Sequence, residues 1–265
     1  MRESDPTLWW AAVGAVALLG LLVGSFLNVV IWRVPRGESV VRPPSACPGC
    51  GHAISARDNI PVLSWLLLRG RCRGCKEPIS VRYPLVEAGT AVVFAAVVLR
   101  FGVTWSLPAF LYLAAICVAL LLIDIDVHRL PDAIVLPAYV VLPVLLTLAA
   151  WAGDDWGALV RSGIGGAALY AFYFVAMVIY PGGMGFGDVK LAGVLGAALG
   201  WVGWGALVVG AFGAFLLGGI FSIGLLLLRR ADRKSGIPFG PWMIAGAALG
   251  IGCGEILWSA YLGLM

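Results

Sequence analysis

The chain has 265 residues, of which 61% are hydrophobic, 36 are glycine and only 12% are charged, with a mean hydropathy of +0.98. This excludes a disordered chain and a compact water-soluble enzyme. The net charge of +4 is unevenly placed: nine of the 18 basic residues lie between Arg33 and Arg82, and four between Arg229 and Lys234. The positive-inside rule assigns such clusters to the cytoplasm, and no nucleic-acid-binding motif accompanies them.

Apolar runs of about twenty residues, each able to cross the roughly 30 Å hydrocarbon layer, recur from end to end. The sequence therefore predicts an all-α polytopic membrane protein of about eight transmembrane helices. The first span, Leu8 to Ile31, is too long for a signal-peptide core and ends without a small-residue cleavage signature, so it is expected to remain as a membrane helix. Seven further spans are expected at about 84–100, 105–123, 132–151, 158–180, 189–207, 209–228 and 239–262. The division between the sixth and seventh spans, near Gly205, is marked by almost no polar sequence.

Residues 33–83 form the one extended polar region and are expected to be a small cytoplasmic domain between the first helix (1–32) and a seven-helix membrane domain (84–265). Eight spans then place both termini outside the cytoplasm. The loop carrying Arg129, the 181–188 turn followed by Lys190, and the loop carrying Arg229 to Lys234 fall inside, and the one carrying Asp154 and Asp155 outside.

In the polar region, Cys47 and Cys50 form a C-P-G-C knuckle and Cys72 and Cys75 a C-R-G-C knuckle, with 21 residues between the pairs. Two such pairs suit a tetrahedral four-thiolate zinc site, which would give the loop folding energy that burial cannot. Four protein ligands leave no open position, so the expected role is structural. His52 is a spare donor beside a complete set, while Cys117 and Cys253 are expected to be small buried hydrophobes.

Carboxylates stand at two helix ends: Asp124 and Asp126 in L-L-I-D-I-D-V-H-R-L-P-D, and Asp188 in G-M-G-F-G-D-V-K. Solvation in the headgroup region is one reading. The other rests on their assignment to the same membrane face. Two aspartates brought together share a proton, and one then serves as base toward water while the other donates to a carbonyl. Spacing alone leaves both open. Lys190 is expected either to support charge near such a pair or to anchor at the interface. Asp132, after Pro131, is expected to cap the following helix.

Taken in order, the motifs resemble those of the bacterial prepilin peptidase family. They are G-S-F-L-N-V-V-I-W-R-V-P (Gly24 to Pro35), L-L-L-R-G-R-C-R-G-C (Leu66 to Cys75), R-Y-P-L-V-E (Arg82 to Glu87), I-D-I-D-V-H-R-L-P-D (Ile123 to Asp132), G-M-G-F-G-D-V-K (Gly183 to Lys190) and I-P-F-G-P (Ile237 to Pro241). The resemblance implies an inner-membrane, GxGD-type aspartyl protease that cleaves the leader of type IV prepilins and pseudopilins at the cytoplasmic face. It implies catalytic roles for Asp124 and Asp188, with Asp126 as the nearby alternative to Asp124. It further implies N-methylation of the new N-terminus with S-adenosylmethionine, since the chain keeps both Gly24 to Asn28 and the cysteine region. Glu38 and Asp58 are polar candidates there, with no residue singled out as base. A small membrane transporter with a zinc-stabilised cytoplasmic domain is the competing reading, followed by a scaffold; neither requires that the aspartates cleave anything.

Overall fold

The computed structural model describes residues 6–180, 182, 184–228 and 238–264. Arg2, Glu3, Asp5, Pro181, Gly183, the basic residues from Arg229 to Lys234, and Ile237 lie outside the described residues. Among those described, the chain is helical, with two isolated β-bridges and no strand. The helices are α1 (Pro6–Arg33), α2 (Leu63–Leu67), α3 (Arg82–Phe101), α4 (Leu107–Val127), α5 (Asp132–Gly153), α6 (Trp156–Ile179), α7 (Phe186–Val202), α8 (Trp204–Leu227) and α9 (Gly240–Leu262).

Eight of these are long, and seven are long and apolar enough to cross a membrane. The exception is α7, whose 17 residues reach only about 25 Å. It runs over 186–202, whereas the hydropathy pattern predicts 189–207. The break falls at Gly203, and the reason lies in the neighbouring helices. Side chains from other helices satisfy the backbone groups that a polar loop would otherwise leave to water. Arg161 of α6 donates to the Gly200 and Trp201 carbonyls at 3.1 and 3.2 Å, and the Glu255 carboxylate of α9 accepts the Ala206 N–H at 3.0 Å.

The chain divides into two compact units, Met1–Ala119 and Leu120–Met265, with the boundary inside α4. In the first, α1 and α3 pack closely because Gly20 and Gly24 face α3. A Cβ at either would lie 2.7 Å from the Cα of Ala91 or Glu87 respectively, so only glycine permits this approach. Trp9, Val13, Val98 and Leu107 close one end of this unit as a buried apolar cluster.

In the second unit, α6 and α7 run antiparallel along a glycine seam. A Cβ on Gly165 would come within 2.5 Å of the Gly196 carbonyl oxygen, and one on Gly200 equally close to that of Arg161. The pair α8 and α9 uses the same device, with Gly246 against the backbone of Gly210 and Ala214.

Candidate active site and metal centre

The four-cysteine cluster is built from one structural unit used twice. In the first copy the Cys47 N–H donates to the His52 carbonyl at 2.9 Å and the Gly51 N–H to the Cys47 carbonyl at 2.9 Å. In the second, Cys72 donates to the Glu77 carbonyl at 2.8 Å and Lys76 to the Cys72 carbonyl at 3.1 Å. Ala46 bridges Ala53 in one, and Arg71 bridges Pro78 in the other. Gly51 and Lys76 occupy equivalent left-handed positions, with φ of 68° and 64°. The second turn aims the backbone N–H groups of Gly74, Cys75 and Glu77 at its sulfurs.

The sulfurs of Cys47, Cys50, Cys72 and Cys75 all lie within 4.8 Å of one another, and those of Cys47 and Cys75 are 3.7 Å apart. Four sulfurs around one tetrahedral ion at about 2.3 Å stand about 3.8 Å from each other, so this cluster could hold a metal ion. The backbone N–H groups of Cys75 and Gly74 pull the Cys72 thiol down to about 6. The Glu77 N–H favours the Cys75 thiolate, but burial and the crowded thiols of Cys50, Cys47 and Cys72 outweigh it and push that group up to about 12. A cation held by the four sulfurs would relieve this mutual repulsion.

Side chains around the knuckles tie the region together. Arg73 grips both Asp58 oxygens through Nε and Nη2 at 2.6 to 3.0 Å, and its guanidinium holds the Asp58 carboxyl below the usual carboxylate range. Arg73 is therefore paired within the loop. Arg36 stacks on Trp32 at 3.6 Å, and Arg33 donates to the Ser39 carbonyl. The buried Glu87 of α3 accepts the Val62 N–H at 2.6 Å, and Trp65 donates to the Ile79 carbonyl at 3.1 Å. Sequence reading noted Glu87 only as part of R-Y-P-L-V-E. Its signal was an acidic residue in the first turns of an apolar helix.

The aspartates come from two helix ends of the second unit. Asp124 sits in the last turn of α4, 4% exposed, and its Oδ2 has no hydrogen-bond partner among the described residues. The backbone of Gly240, at the start of α9, lies against it: a Cβ there would be 2.6 Å from that oxygen. Asp126, two residues on, is rotated about 200° around the helix and is exposed. The structure thus separates the two acidic residues that the motif leaves adjacent.

Asp188 occupies the first turn of α7. Its Oδ2 accepts the Gly185 N–H at 3.1 Å while its own N–H donates to the Gly185 carbonyl at 3.0 Å, the carboxylate half of a capping box. The charges of Asp124 and Asp188 are within electrostatic reach of each other. Leu130, from the turn after α4, packs beside both sites: a Cβ on Gly187 would lie 3.1 Å from its Cβ, and one on Gly240 3.4 Å from its Cδ2.

A latch holds α5 against the start of α7. The Lys190 ammonium pairs with Asp132 at 2.5 Å and lies over the Phe186 ring, and the Tyr139 hydroxyl donates to the Lys190 carbonyl at 2.6 Å. Asp132 is the first residue of α5, after a Pro131 N-cap that makes no side-chain cap bond. Its carboxylate serves Lys190 and does not cap the helix.

The chain matches the bacterial peptidase A24 N-terminal domain over residues 18–101 and the type IV leader peptidase family over residues 111–223. It is 39% identical to a prepilin leader peptidase/N-methyltransferase of Aeromonas hydrophila, covering 96% of this chain and 94% of that protein. The chain belongs to the type IV leader peptidase family. Other members include proteins of the same description from Pseudomonas aeruginosa, 37% identical over 95% of this chain and 94% of the relative, and Myxococcus xanthus, 43% identical over 82% of this chain and 63% of the relative. No solved structure matches the chain. As a type IV leader peptidase the protein is an enzyme, and with seven candidate spans it is a multi-pass inner-membrane protein. Membership sets aside the transporter and scaffold readings.

Proposed function

We propose that this leader peptidase cleaves type IV prepilins or pseudopilins with Asp124 and Asp188 as an aspartate dyad at the cytoplasmic face. The observation that carries the reading is the buried, unpartnered Asp124 oxygen within electrostatic reach of Asp188, from a separate helix end. In the reaction one carboxylate takes a proton from water, whose oxygen attacks the scissile carbonyl carbon. The other, protonated, donates to the carbonyl oxygen. Collapse of the tetrahedral intermediate breaks the C–N bond, and the departing nitrogen receives a proton from the carboxyl that had taken it from water. The mature chain leaves with a free amine.

The same protein methylates that amine. S-adenosylmethionine is the co-substrate and supplies the methyl group; the amine nitrogen forms the new N–C bond as the sulfonium S–C bond breaks and a proton is lost. The descriptions of the relatives support this second activity. We assign the cysteine cluster to structural zinc, bound by Cys47, Cys50, Cys72 and Cys75, because four thiolates in tetrahedral spacing select it. We further propose the three-part organisation 1–32, 33–83 and 84–265, with α7 as a short eighth crossing that puts both termini outside the cytoplasm.

The test is mass spectrometry of a purified prepilin incubated with detergent-solubilised enzyme and S-adenosylmethionine. Wild type is expected to remove the leader and add one methyl group, while Asp124→Ala and Asp188→Ala leave the leader intact. Cleavage by either folded variant would overturn the dyad.

A further inference from the structure

The glycine seam between α6 and α7 fixes a register. Arg161 faces Gly200, Gly165 faces Gly196 and Gly166 faces Gly193, so each step toward the C-terminus of α6 is a step back along α7. Continuing that register along the face formed by Ser162, Gly165, Gly166 and Leu169 brings Tyr173 level with Asp188. Tyr173 is 2% exposed. Its ring lies 5.5 Å from that of Phe215 and 6.2 Å from that of Phe239. Phe239 immediately precedes Gly240, whose backbone abuts the Asp124 carboxyl. The aromatic cluster therefore spans from one aspartate toward the other.

The phenol makes no hydrogen bond to another described residue, yet it stands within electrostatic reach of Asp188. A phenylalanine would fill the same apolar space, so what the tyrosine adds here is one hydrogen-bond donor. Asp188 has the complementary need, since the one donor to its carboxylate described here is the Gly185 N–H on Oδ2.

We propose that Tyr173 is a positioning residue for Asp188, its hydroxyl donating to the Asp188 carboxylate when substrate occupies the site and so fixing the direction from which that carboxylate meets the attacking water. This rests on the aspartate-dyad reading. The phenol does not exchange its proton with substrate; it orients the group that does. The register already sets the two residues at the same level of the helix pair, so the motion required is confined to side chains.

The experiment compares steady-state leader cleavage by full-length, detergent-solubilised wild type, Tyr173→Phe, Tyr173→Leu and Asp188→Ala, with thermal melting of each. Tyr173→Phe keeps the ring packing and is expected to melt with wild type, with kcat lowered roughly tenfold and KM unchanged. Tyr173→Leu is expected to lose melting temperature as well. Wild-type kcat in Tyr173→Phe would show that the ring only packs, and overturn the proposal. If Asp188→Ala is inactive at the same time, the dyad survives that failure; if folded Asp188→Ala still cleaves, the dyad fails and the role of Tyr173 fails with it.

Discussion

Gly240 and Asp124 are in contact across two helix ends: the start of α9 presses its backbone onto the carboxyl that ends α4, leaving less than the room of a methyl group. The atom in the way is the end of a side chain and not backbone. A Gly240→Ala variant should therefore fold, with the Asp124 carboxyl displaced instead of the helices. Leader cleavage is expected to fall by about tenfold or more, as for other small displacements of a reacting group, with the melting temperature held within a few degrees. A fully active Gly240→Ala enzyme would mean that the position of this carboxyl is not critical.

The cysteine cluster makes a stoichiometric prediction. Purified protein should carry about one zinc per chain, and Cys72→Ser should carry none. Treatment with a strong chelator should open residues 33–81 to trypsin while the membrane helices stay protected. Elemental analysis alongside limited proteolysis reads both. Full protection of the loop after verified metal removal would leave zinc without a structural role.

The Asp58–Arg73 pair predicts a pH dependence with a defined sign. Because the folded-state carboxyl is held below its usual value, its contribution is fully present above the unfolded carboxylate range, near pH 4, and is lost as pH falls through the lower folded value. Loop protection in wild type should thus decline on acidification below about pH 4. In Asp58→Asn, the part of that decline contributed by this pair should be absent, and protection at pH 7 weaker. Identical proteolysis profiles from pH 7 to 3 would count against the pair as a determinant of the loop fold.

Glu255 closes the one-residue turn between α7 and α8 through the Ala206 N–H. Glu255→Leu leaves that donor unpaired and should cost about 1–2 kcal/mol, visible as a lower melting temperature in detergent. Since the turn lies at the far end of α7 from Asp188, KM for the prepilin should not change. A rise in KM with unchanged stability would contradict a purely structural cap.

Much of this architecture was legible because each signal was local. Long apolar runs located the helices, CxxC spacing assembled the four sulfurs, and the ordered motifs carried the family. The α7 boundary was not legible, since the groups that make Gly203 a sufficient turn, Arg161 and Glu255, sit tens of residues away. Asp124 and Asp126 could not be separated by spacing alone; burial against Gly240 distinguishes them. Tyr173 left a weak signal, a hydroxyl on the glycine-bearing face of an apolar helix, meaningful only once α7 lay against that face. Lys190 had a choice of roles in the sequence, and Asp132 decided between them.

Side chains normally act as spacers that let neighbouring helices roll or slide a little. Along α6 and α7 those spacers are missing, and the two rods touch backbone to backbone. Rolling either one would drive a carbonyl into its neighbour, so the pair moves as a single slab. In the proposed dyad, Asp188 is thus the carboxylate mounted on the stiffer support.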